Sequence, residues 1–384
     1  MQTINSQPLT LLNKITPEQF LAEYWQKKPL LIRQAIPGFS GLLTPDELAG
    51  LACEDEVQSR LVQLTKGEWQ VTSGPMTEKT FKRLPEKDWT LLVQGVNHYV
   101  PEAADLLAQF SFIPHARLDD LMVSYAPNGG GVGPHLDSYD VFLLQGSGKR
   151  HWKISPQTDF TLIEDAPLRI LKHFETEQEW LLEAGDMLYL PPQIAHWGVA
   201  VGDDCMTYSI GFRAPKTQEL AHEFLHYLQD HLHLTGMYAD ADLTLQSHPA
   251  EISSAMVNKV YQSLQAITWQ PQHVGDFLGR YLTEPKPHIV FEPPKKISLK
   301  VFSQRLHHEI LHLSLPAQML FWQDIFYLNG EQITASNLLT PQLKALADKR
   351  FLDCTTLETA QIDQLAVLMH PHYLAGYVTF GESI

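Results

Sequence analysis

Residues 129–152 read GGGVGPHLDSYDVFLLQGSGKRHW, and this stretch decides how the rest of the chain is interpreted. Runs rich in β-branched and aromatic residues lie within it and on both sides, from about residue 119 to residue 212, and Gly, Pro and Asp interrupt them. Several short strands separated by turn signals are typical of a β-sandwich or a β-barrel. We therefore expect a β-rich core in this part of the chain.

The pattern His-x-Asp inside this stretch is the first sign of a metal site. His135 and Asp137 are one residue apart, and alternate residues of a strand point to the same face, so the imidazole and the carboxylate converge. For the pair alone, a strand-end histidine hydrogen-bonded to a nearby aspartate is the simpler explanation. A third candidate ligand, His196, lies in the later segment GDMLYLPPQIAHWG, residues 185–198. Two histidines and one carboxylate that leave three metal positions open are diagnostic of non-haem iron(II) oxygenases, so we predict that these three residues bind iron(II).

A 2-oxo acid co-substrate would occupy two of the open positions and O₂ the third. For 2-oxoglutarate the site also needs a cation that binds the distal carboxylate, and arginine suits this role because its planar fork binds both oxygens. Arg150 lies on the strand that follows the turn after the His-x-Asp pair, and a solvated strand edge is the alternative explanation for it. Ser124 is a candidate hydroxyl contact, and Tyr208 or Ser209 is a further one.

Two other stretches match the zinc-protease signature His-Glu-x-x-His, at residues 222–226 and 308–312. Both lie in predicted helices, so each pair of histidines would share a helix face. Neither stretch has the Gly-x-x-His extension, and chance matches are expected in a chain with 18 histidines. We interpret the first as part of a polar or interfacial helix face rather than a zinc site.

Composition limits the other classes of function. The 384 residues include 28 Lys and Arg against 44 Asp and Glu, which gives a formal net charge of −16. Such a surface repels phosphate backbones and suits a basic protein partner, so we expect no direct DNA binding. The sequence contains no run of about 18 apolar residues, so we predict no membrane span. Three scattered cysteines and the lack of a signal-peptide pattern near the start favour the cytoplasm.

The segments around the β core are predominantly helical. Thr16-Pro17 and Leu43-Thr44-Pro45 each predict the start of a helix, and residues 89–110 show helical periodicity. Residues 216–285 predict an all-helical insert, which the Pro-rich segment TEPKPHIVFEPPKK (283–296) ends. Residues 286–384 combine helices with a strand–turn–strand around Asn329-Gly330, which suggests a winged-helix-like module. Because acidic and basic residues nearly balance in this module, we interpret it as a protein-contact or structural domain.

The stretches PHLDSYDVFLLQGSGKRHW (134–152) and GDMLYLPPQIAHWG resemble the JmjC domain, and in particular the bacterial ribosomal oxygenases of the RoxA/YcfD type. Three further segments match this family: FLAEYWQKKPLLI (20–32), DDLMVSYAPNGGGVG (119–133) and SIGFRAPKTQEL (209–220). The resemblance implies an α+β fold with three parts. These are N-terminal helices plus a JmjC/cupin double-stranded β-helix catalytic domain (1–215), a helical dimerisation region (216–285) and a C-terminal winged-helix-like domain (286–384).

The resemblance also implies an activity. It is that of an iron(II)- and 2-oxoglutarate-dependent dioxygenase that hydroxylates the β-carbon (C3) of an arginine in large-subunit ribosomal protein sixteen and works as a homodimer. His135, Asp137 and His196 would then be the iron ligands, and Arg150 with Ser124 would bind the distal carboxylate of 2-oxoglutarate. Two alternatives stay open: a JmjC oxygenase that acts on a histidyl or methyl-lysyl residue of another protein, and a non-catalytic cupin-like binding module.

A substrate arginine needs a carboxylate for its guanidinium and a flat or polarisable wall for its stem. Asp120 and Met122 share one face of a predicted strand, and Tyr139 lies two residues beyond Asp137. We predict that Asp120 pairs with the guanidinium and that Met122 and Tyr139 form a slot for the stem. The alternative is that Asp120 caps a strand and Met122 belongs to the core.

Overall fold

The computed structural model describes residues 7–381, so residues 1–6 and 382–384 of the first and last predicted domains lie outside the described residues. Before residue 215 the helices are α1 Pro17–Glu23, α2 Pro45–Leu51, α3 Glu78–Phe81 and α4 Pro101–Ala108. The strands of this part are β1 Leu30–Ile32, β2 Ser59–Thr65, β3 Glu68–Ser73, β4 Trp89–Val93, β5 Leu118–Ala126, β6 His135–Leu136, β7 Val141–Gln145, β8 Lys149–Ser155, β9 Gln178–Glu183, β10 Met187–Leu190, β11 Ala195–Val201 and β12 Cys205–Phe212.

Two antiparallel sheets form the N-terminal half of the chain and confirm the predicted double-stranded β-helix. One sheet has the strand order β1-β10-β7-β12-β5-β4-β2-β3, and the other has the order β6-β11-β8-β9. Along each strand alternate side chains face either the space between the sheets or the outside. The outer face of the larger sheet packs against the N-terminal helices in one continuous hydrophobic core. A second cluster, which includes Leu143 and Trp152, lies between the two sheets.

The N-terminal helices begin as the sequence predicts. The side chain of Thr16 accepts a hydrogen bond from Gln19 N with Pro17 in the first helical turn, and Thr44 forms a capping box with Glu47.

A buried carboxylate connects these helices to the sandwich. Asp140 is fully buried; it accepts hydrogen bonds from Tyr189 Oη at 2.6 Å and Gln26 Nε2 at 2.9 Å. Arg117 Nη2 lies 3.5 Å from the same carboxylate. The buried charge is therefore compensated and fixes the α1 segment on the sheet.

The predicted helix over residues 89–110 is wrong in its first part. Residues 89–93 form β4, which pairs with β2 on one side and β5 on the other, while the helix α4 begins only at Pro101. The run WTLLV is rich in residues that fit either a strand or a buried helix, and the two neighbouring strands decide between them.

Three helices follow the sandwich: α5 Thr217–His231, α6 Ser254–Leu264 and α7 Pro271–Thr283. The last of them packs on the C-terminal hairpins. A Cβ at Gly275 would lie 2.4 Å from the Trp322 ring, and a Cβ at Gly279 would lie 2.2 Å from the Tyr327 ring. These two glycines therefore allow the close approach of α7 to the strands. The domain boundary at residue 285 stays a prediction.

The C-terminal part contains α8 Leu299–Leu306, α9 Thr340–Lys349 and α10 Thr359–Leu374, with strands β13 Ile310–Leu313, β14 Met319–Trp322, β15 Ile325–Leu328, β16 Glu331–Ile333, β17 Phe351–Asp353 and β18 Val378–Gly381. Asn329 and Gly330 have φ of 51° and 88°, as the predicted hairpin turn requires. A helix through residue 310 is wrong, because residues 310–313 pair with β17 and β18. The two histidines of the second His-Glu-x-x-His stretch therefore do not share a helix face. None of the helices within residues 7–381 is both long and apolar enough to cross a membrane.

Candidate metal and co-substrate site

The three predicted metal ligands come together at one end of the sandwich. His135 and His196 are direct partners on β6 and β11, and Asp137 follows β6. One ligand atom from each of the three residues lies within 4.8 Å of the others, and no other such group of three occurs within residues 7–381. His196 Nε2 is 3.5 Å from Asp137 Oδ2, and the two imidazole centroids are 4.2 Å apart.

Backbone carbonyls set the tautomers of both histidines. His135 Nδ1 lies 3.0 Å from Gly133 O, and His196 Nδ1 lies 2.9 Å from Ile194 O. A carbonyl oxygen only accepts hydrogen bonds, so each Nδ1 carries the proton and each Nε2 keeps its lone pair. Burial, together with the nearby His135, lowers the pKa of His196 to about 4, which keeps that ring neutral. Two imidazoles that each present Nε2, together with a carboxylate, are a donor set that fits a divalent transition metal.

Arg150 lies deep between the sheets rather than on a solvated edge. It is 4% exposed, its Nε donates to Thr207 Oγ1 at 2.9 Å, and its Nη2 has no hydrogen-bond partner among residues 7–381. Among the described residues no carboxylate forms an ion pair with it. Lys149 points to the opposite face, where it pairs with Glu183 at 2.5 Å. A buried guanidinium with an unused N–H group and no counter-ion fits a site for an added carboxylate.

The other predicted hydroxyl contacts divide between the two faces. Ser124 is buried on the same side as Thr207, and its Oγ donates to Thr207 O at 3.4 Å. Tyr208 faces away from the site, and its Oη accepts hydrogen bonds from the backbone of residues 42 and 43, so it is wrong as a contact. We did not predict from the sequence that Thr207 and Gln145 belong to the site. Neighbouring residues of a strand point to opposite faces, so the strand MTYSIGF does indicate that Thr207 and Tyr208 face in opposite directions.

The register of β8 and β11 brings the metal-binding end and Arg150 onto one interior surface. Ile154 is opposite His196 and Ala200 is opposite Arg150, so all four side chains share one face. Trp152 lies between them; its ring centroid is 5.9 Å from that of His196, and the Arg150 guanidinium carbon is 5.8 Å from the Trp152 ring.

Of the residues predicted to bind the substrate, Asp120 and Met122 lie on β5 and Tyr139 follows β6. Asp120 is buried, and its Oδ2 accepts a hydrogen bond from Gly95 N at 2.9 Å, while its other oxygen makes none with any residue that the structure describes. Burial and the adjacent Asp119 raise the pKa of Asp120. Desolvation, followed by the charges of Asp137 and Asp120, raises the pKa of Tyr139, although 40% of this residue is exposed. Met122 is half-buried and is paired with Ser209.

Comparisons with known proteins match this geometry. The family model of the JmjC domain matches residues 105–220, and that of the ROXA-like winged helix matches residues 266–378. The chain is 35% identical to the ribosomal protein uL16 3-hydroxylase of Escherichia coli (strain K12), over 92% of this chain and 96% of that protein. It is 43% identical to a probable ribosomal oxygenase of Haemophilus influenzae, over 57% of this chain and 55% of that protein.

Solved structures agree with the sequence relatives. The X-ray structure of E. coli YcfD superposes with a TM-score of 0.82 at 35% identity and covers 95% of this chain and 98% of that chain. A structure of the same E. coli ribosomal oxygenase in complex with cobalt and 2-oxoglutarate superposes with a TM-score of 0.81 and covers 94% and 97%. This chain therefore belongs to the JmjC-domain ribosomal oxygenases of the RoxA/YcfD type, with a ROXA-like winged helix at its C-terminal end.

Proposed function

We propose that this protein is an iron(II)- and 2-oxoglutarate-dependent oxygenase that hydroxylates the β-carbon of an arginine in the ribosomal protein uL16, the large-subunit protein sixteen. The observation that carries the proposal is the convergence of His135, Asp137 and His196 at one end of a sandwich that also buries the unpaired guanidinium of Arg150. The E. coli relative is named for the same reaction class, and a structure of it contains cobalt and 2-oxoglutarate.

In this proposal the residues have separate roles. His135, Asp137 and His196 hold the iron, and Arg150 with Ser124 binds the distal carboxylate of 2-oxoglutarate. The bound iron with 2-oxoglutarate and O₂ supplies the oxidation of an unactivated C–H bond. The protein contributes fixed imidazole tautomers, a charged anchor for the co-substrate and apolar walls that exclude water. These walls include Trp152, Ile154 and Leu143.

We also propose that Asp120 binds the substrate guanidinium through the oxygen that makes no hydrogen bond, with Met122 and Tyr139 on either side of the arginine stem. The net charge of −16 favours a basic protein substrate. In the substrate-free protein, burial raises the pKa of the Asp120 carboxyl. The positive guanidinium would offset the free-energy cost of burying the charged carboxylate.

The decisive experiment incubates the purified protein with iron(II), 2-oxoglutarate and uL16, and measures succinate release together with the mass of the ribosomal protein. We expect the mass to increase by one oxygen atom, and fragmentation should locate it on an arginine. The variant Asp137→Ala is the control. Oxygen on a histidine, or loss of a lysine methyl group, would favour the alternative JmjC activities. Absence of turnover with ribosomal proteins, despite bound iron, would favour a binding module.

We further propose that the helical region 216–285 forms a homodimer and that the protein works in the cytoplasm. The helix α6 buries none of its residues in one copy of the chain. Val257, Tyr261 and Leu264 lie on one face of it, at the spacing of a helix stripe, and are 54%, 59% and 55% exposed. An apolar stripe of this kind is suited to a second copy. The three cysteines are all unpaired, as expected in a reducing compartment.

A further inference from the structure

Gln145 is a fully buried polar side chain at the end of β7, and the proposed chemistry does not use it. It lies directly opposite Thr207 on β12, on the face that looks into the sandwich. Through Thr207 it is connected to Arg150. The three side chains form a continuous hydrogen-bonded chain: Gln145 Oε1 is 3.1 Å from Thr207 Oγ1, which is 2.9 Å from Arg150 Nε.

Gln145 fixes which group donates and which accepts in each of these side-chain hydrogen bonds. Gln145 Nε2 lies 2.8 Å from Ser147 O and 3.1 Å from Met206 O. Both partners are backbone carbonyls and only accept, so the amide nitrogen must face them and the amide oxygen must face Thr207. An amide oxygen also only accepts, so the single hydroxyl proton of Thr207 points to Gln145. The lone pairs of that hydroxyl are left for Arg150 Nε, which can only donate.

Without Gln145, the Thr207 hydroxyl could rotate its proton toward the guanidinium and stop accepting from it. The guanidinium would then lose the bond that holds its plane. Because Arg150 is buried and its Nη2 has no partner in the described part of the chain, the orientation of this plane decides where that N–H group lies. A carboxylate bound by an arginine needs donors in a fixed position, and small changes in orientation reduce the strength of the bond.

We propose that Gln145 is a positioning residue for the 2-oxoglutarate carboxylate: it orients the Thr207 hydroxyl, which in turn holds the guanidinium of Arg150 in its binding orientation. This inference rests on the proposed function, because it takes 2-oxoglutarate as the ligand of Arg150. A purely structural role for Gln145 would also fit its two backbone contacts, since they connect β7 to the following turn and to β12. The two roles differ in which ligands they affect.

The test measures ligand binding to the cobalt-loaded protein by calorimetry, with no turnover. The first ligand is 2-oxoglutarate, and the second is 2-oxopentanoate, which has the same 2-oxo acid group but lacks the distal carboxylate. The variants are Gln145→Met, which keeps the length of the side chain, and Thr207→Val, which keeps its shape. Thr207→Ser is the matched control because it keeps the hydroxyl. Thermal unfolding of each variant is measured in parallel.

We expect Gln145→Met to weaken 2-oxoglutarate binding by about tenfold and Thr207→Val by about tenfold or more, the effect of losing roughly one hydrogen bond to a charged group. Binding of 2-oxopentanoate should change by less than about twofold, and Thr207→Ser should retain most of the affinity for 2-oxoglutarate. If Gln145→Met does not fold, the comparison of Thr207→Val with Thr207→Ser tests the same orientation of Arg150.

Two results would overturn the inference while leaving the proposed function intact. One is an unchanged preference of Gln145→Met for 2-oxoglutarate over 2-oxopentanoate. The other is an equal loss of both ligands together with a lower melting temperature, which would assign Gln145 to stability alone. If the wild-type protein itself showed no preference for 2-oxoglutarate, the proposed function and the inference would both be wrong.

Discussion

Replacing Gly198 with alanine should disturb the site without touching a metal ligand. Gly198 lies on β11 directly opposite Trp152, two residues from His196. An added Cβ would lie 2.6 Å from the nearest carbon of the Trp152 ring, whereas ordinary contacts begin at 3.4 Å, so the ring would have to move by about 0.8 Å (3.4 − 2.6). The ring is 6% exposed and surrounded by other core side chains, so it has little free space to move into.

Overpacking of this kind typically costs about 1–3 kcal/mol, which corresponds to a decrease in Tm of about 2–12 °C for a domain of this size. The displaced ring borders both His196 and Arg150. We therefore expect the 2-oxoglutarate affinity of the cobalt-loaded protein to decrease as well. Differential scanning calorimetry and binding calorimetry measure the two effects.

Gly50→Ala is the matched control. Gly50 lies in α2, and a Cβ there would meet no atom within 4 Å. Alanine at this helical position should leave the protein as stable as before, or more stable by about 0.4–1 kcal/mol. If Gly198→Ala unfolded at the same temperature as Gly50→Ala and bound 2-oxoglutarate normally, the idea that Trp152 is held rigidly over Gly198 would be refuted.

Three further predictions concern other parts of the molecule. Asp120→Asn should raise the KM of the ribosomal substrate about tenfold or more, because the negative charge and one of the two accepting oxygens are lost. An unchanged KM in initial-rate kinetics would contradict the assignment. Leu264→Glu in α6 should turn a dimer into a monomer in sedimentation velocity, whereas a persistent dimer would exclude this face. Burial, with nearby Lys286 and Arg350, lowers the pKa of His98 to about 4. The unfolded chain therefore binds more protons below about pH 6.5, and the free energy of unfolding should decrease from there down to about pH 4. In urea denaturation at a series of pH values, His98→Asn should reduce this dependence of the unfolding free energy on pH. An equally strong dependence in the variant would rule His98 out as its cause.

The His-x-Asp pair is predictable because its determinants are local, whereas His196 joins the pair only when β6 and β11 come together. A His-x-Asp pair on a strand converges whatever the rest of the fold does, and the helix starts at Thr16 and Thr44 depend on two or three adjacent residues. The depth of Arg150 is different, because its burial follows from the second sheet that covers it. Periodicity distinguished its face from that of Lys149, but it could not tell the inside of a sandwich from a solvated edge.

The features that were missed depend on contacts between distant segments. Residues 89–93 form a strand because β2 and β5 lie on either side of them. Gln145 and Thr207 are 62 residues apart in the chain and meet only after β7 and β12 pair. Nothing in the local sequence of either one predicts a hydrogen bond to the other. The side chains proposed to bind the metal and the carboxylate were therefore easier to predict than the side chains that orient these groups.

The register between β8 and β11 has a consequence for the size of the acid that this enzyme accepts. His196 and the partner of Arg150, Ala200, are four residues apart on one strand (200 − 196), or about 13 Å at about 3.3 Å per residue. In the proposed site, the spacing between the metal and the carboxylate anchor therefore depends on the pairing of β8 with β11. A slip of one residue would turn Arg150 outward, and a slip of two would change the span by about 6.6 Å. If Arg150 binds the distal carboxylate as proposed, the preferred length of the diacid depends on this strand pairing, and side-chain substitutions in the pocket should weaken binding far more readily than they change that length.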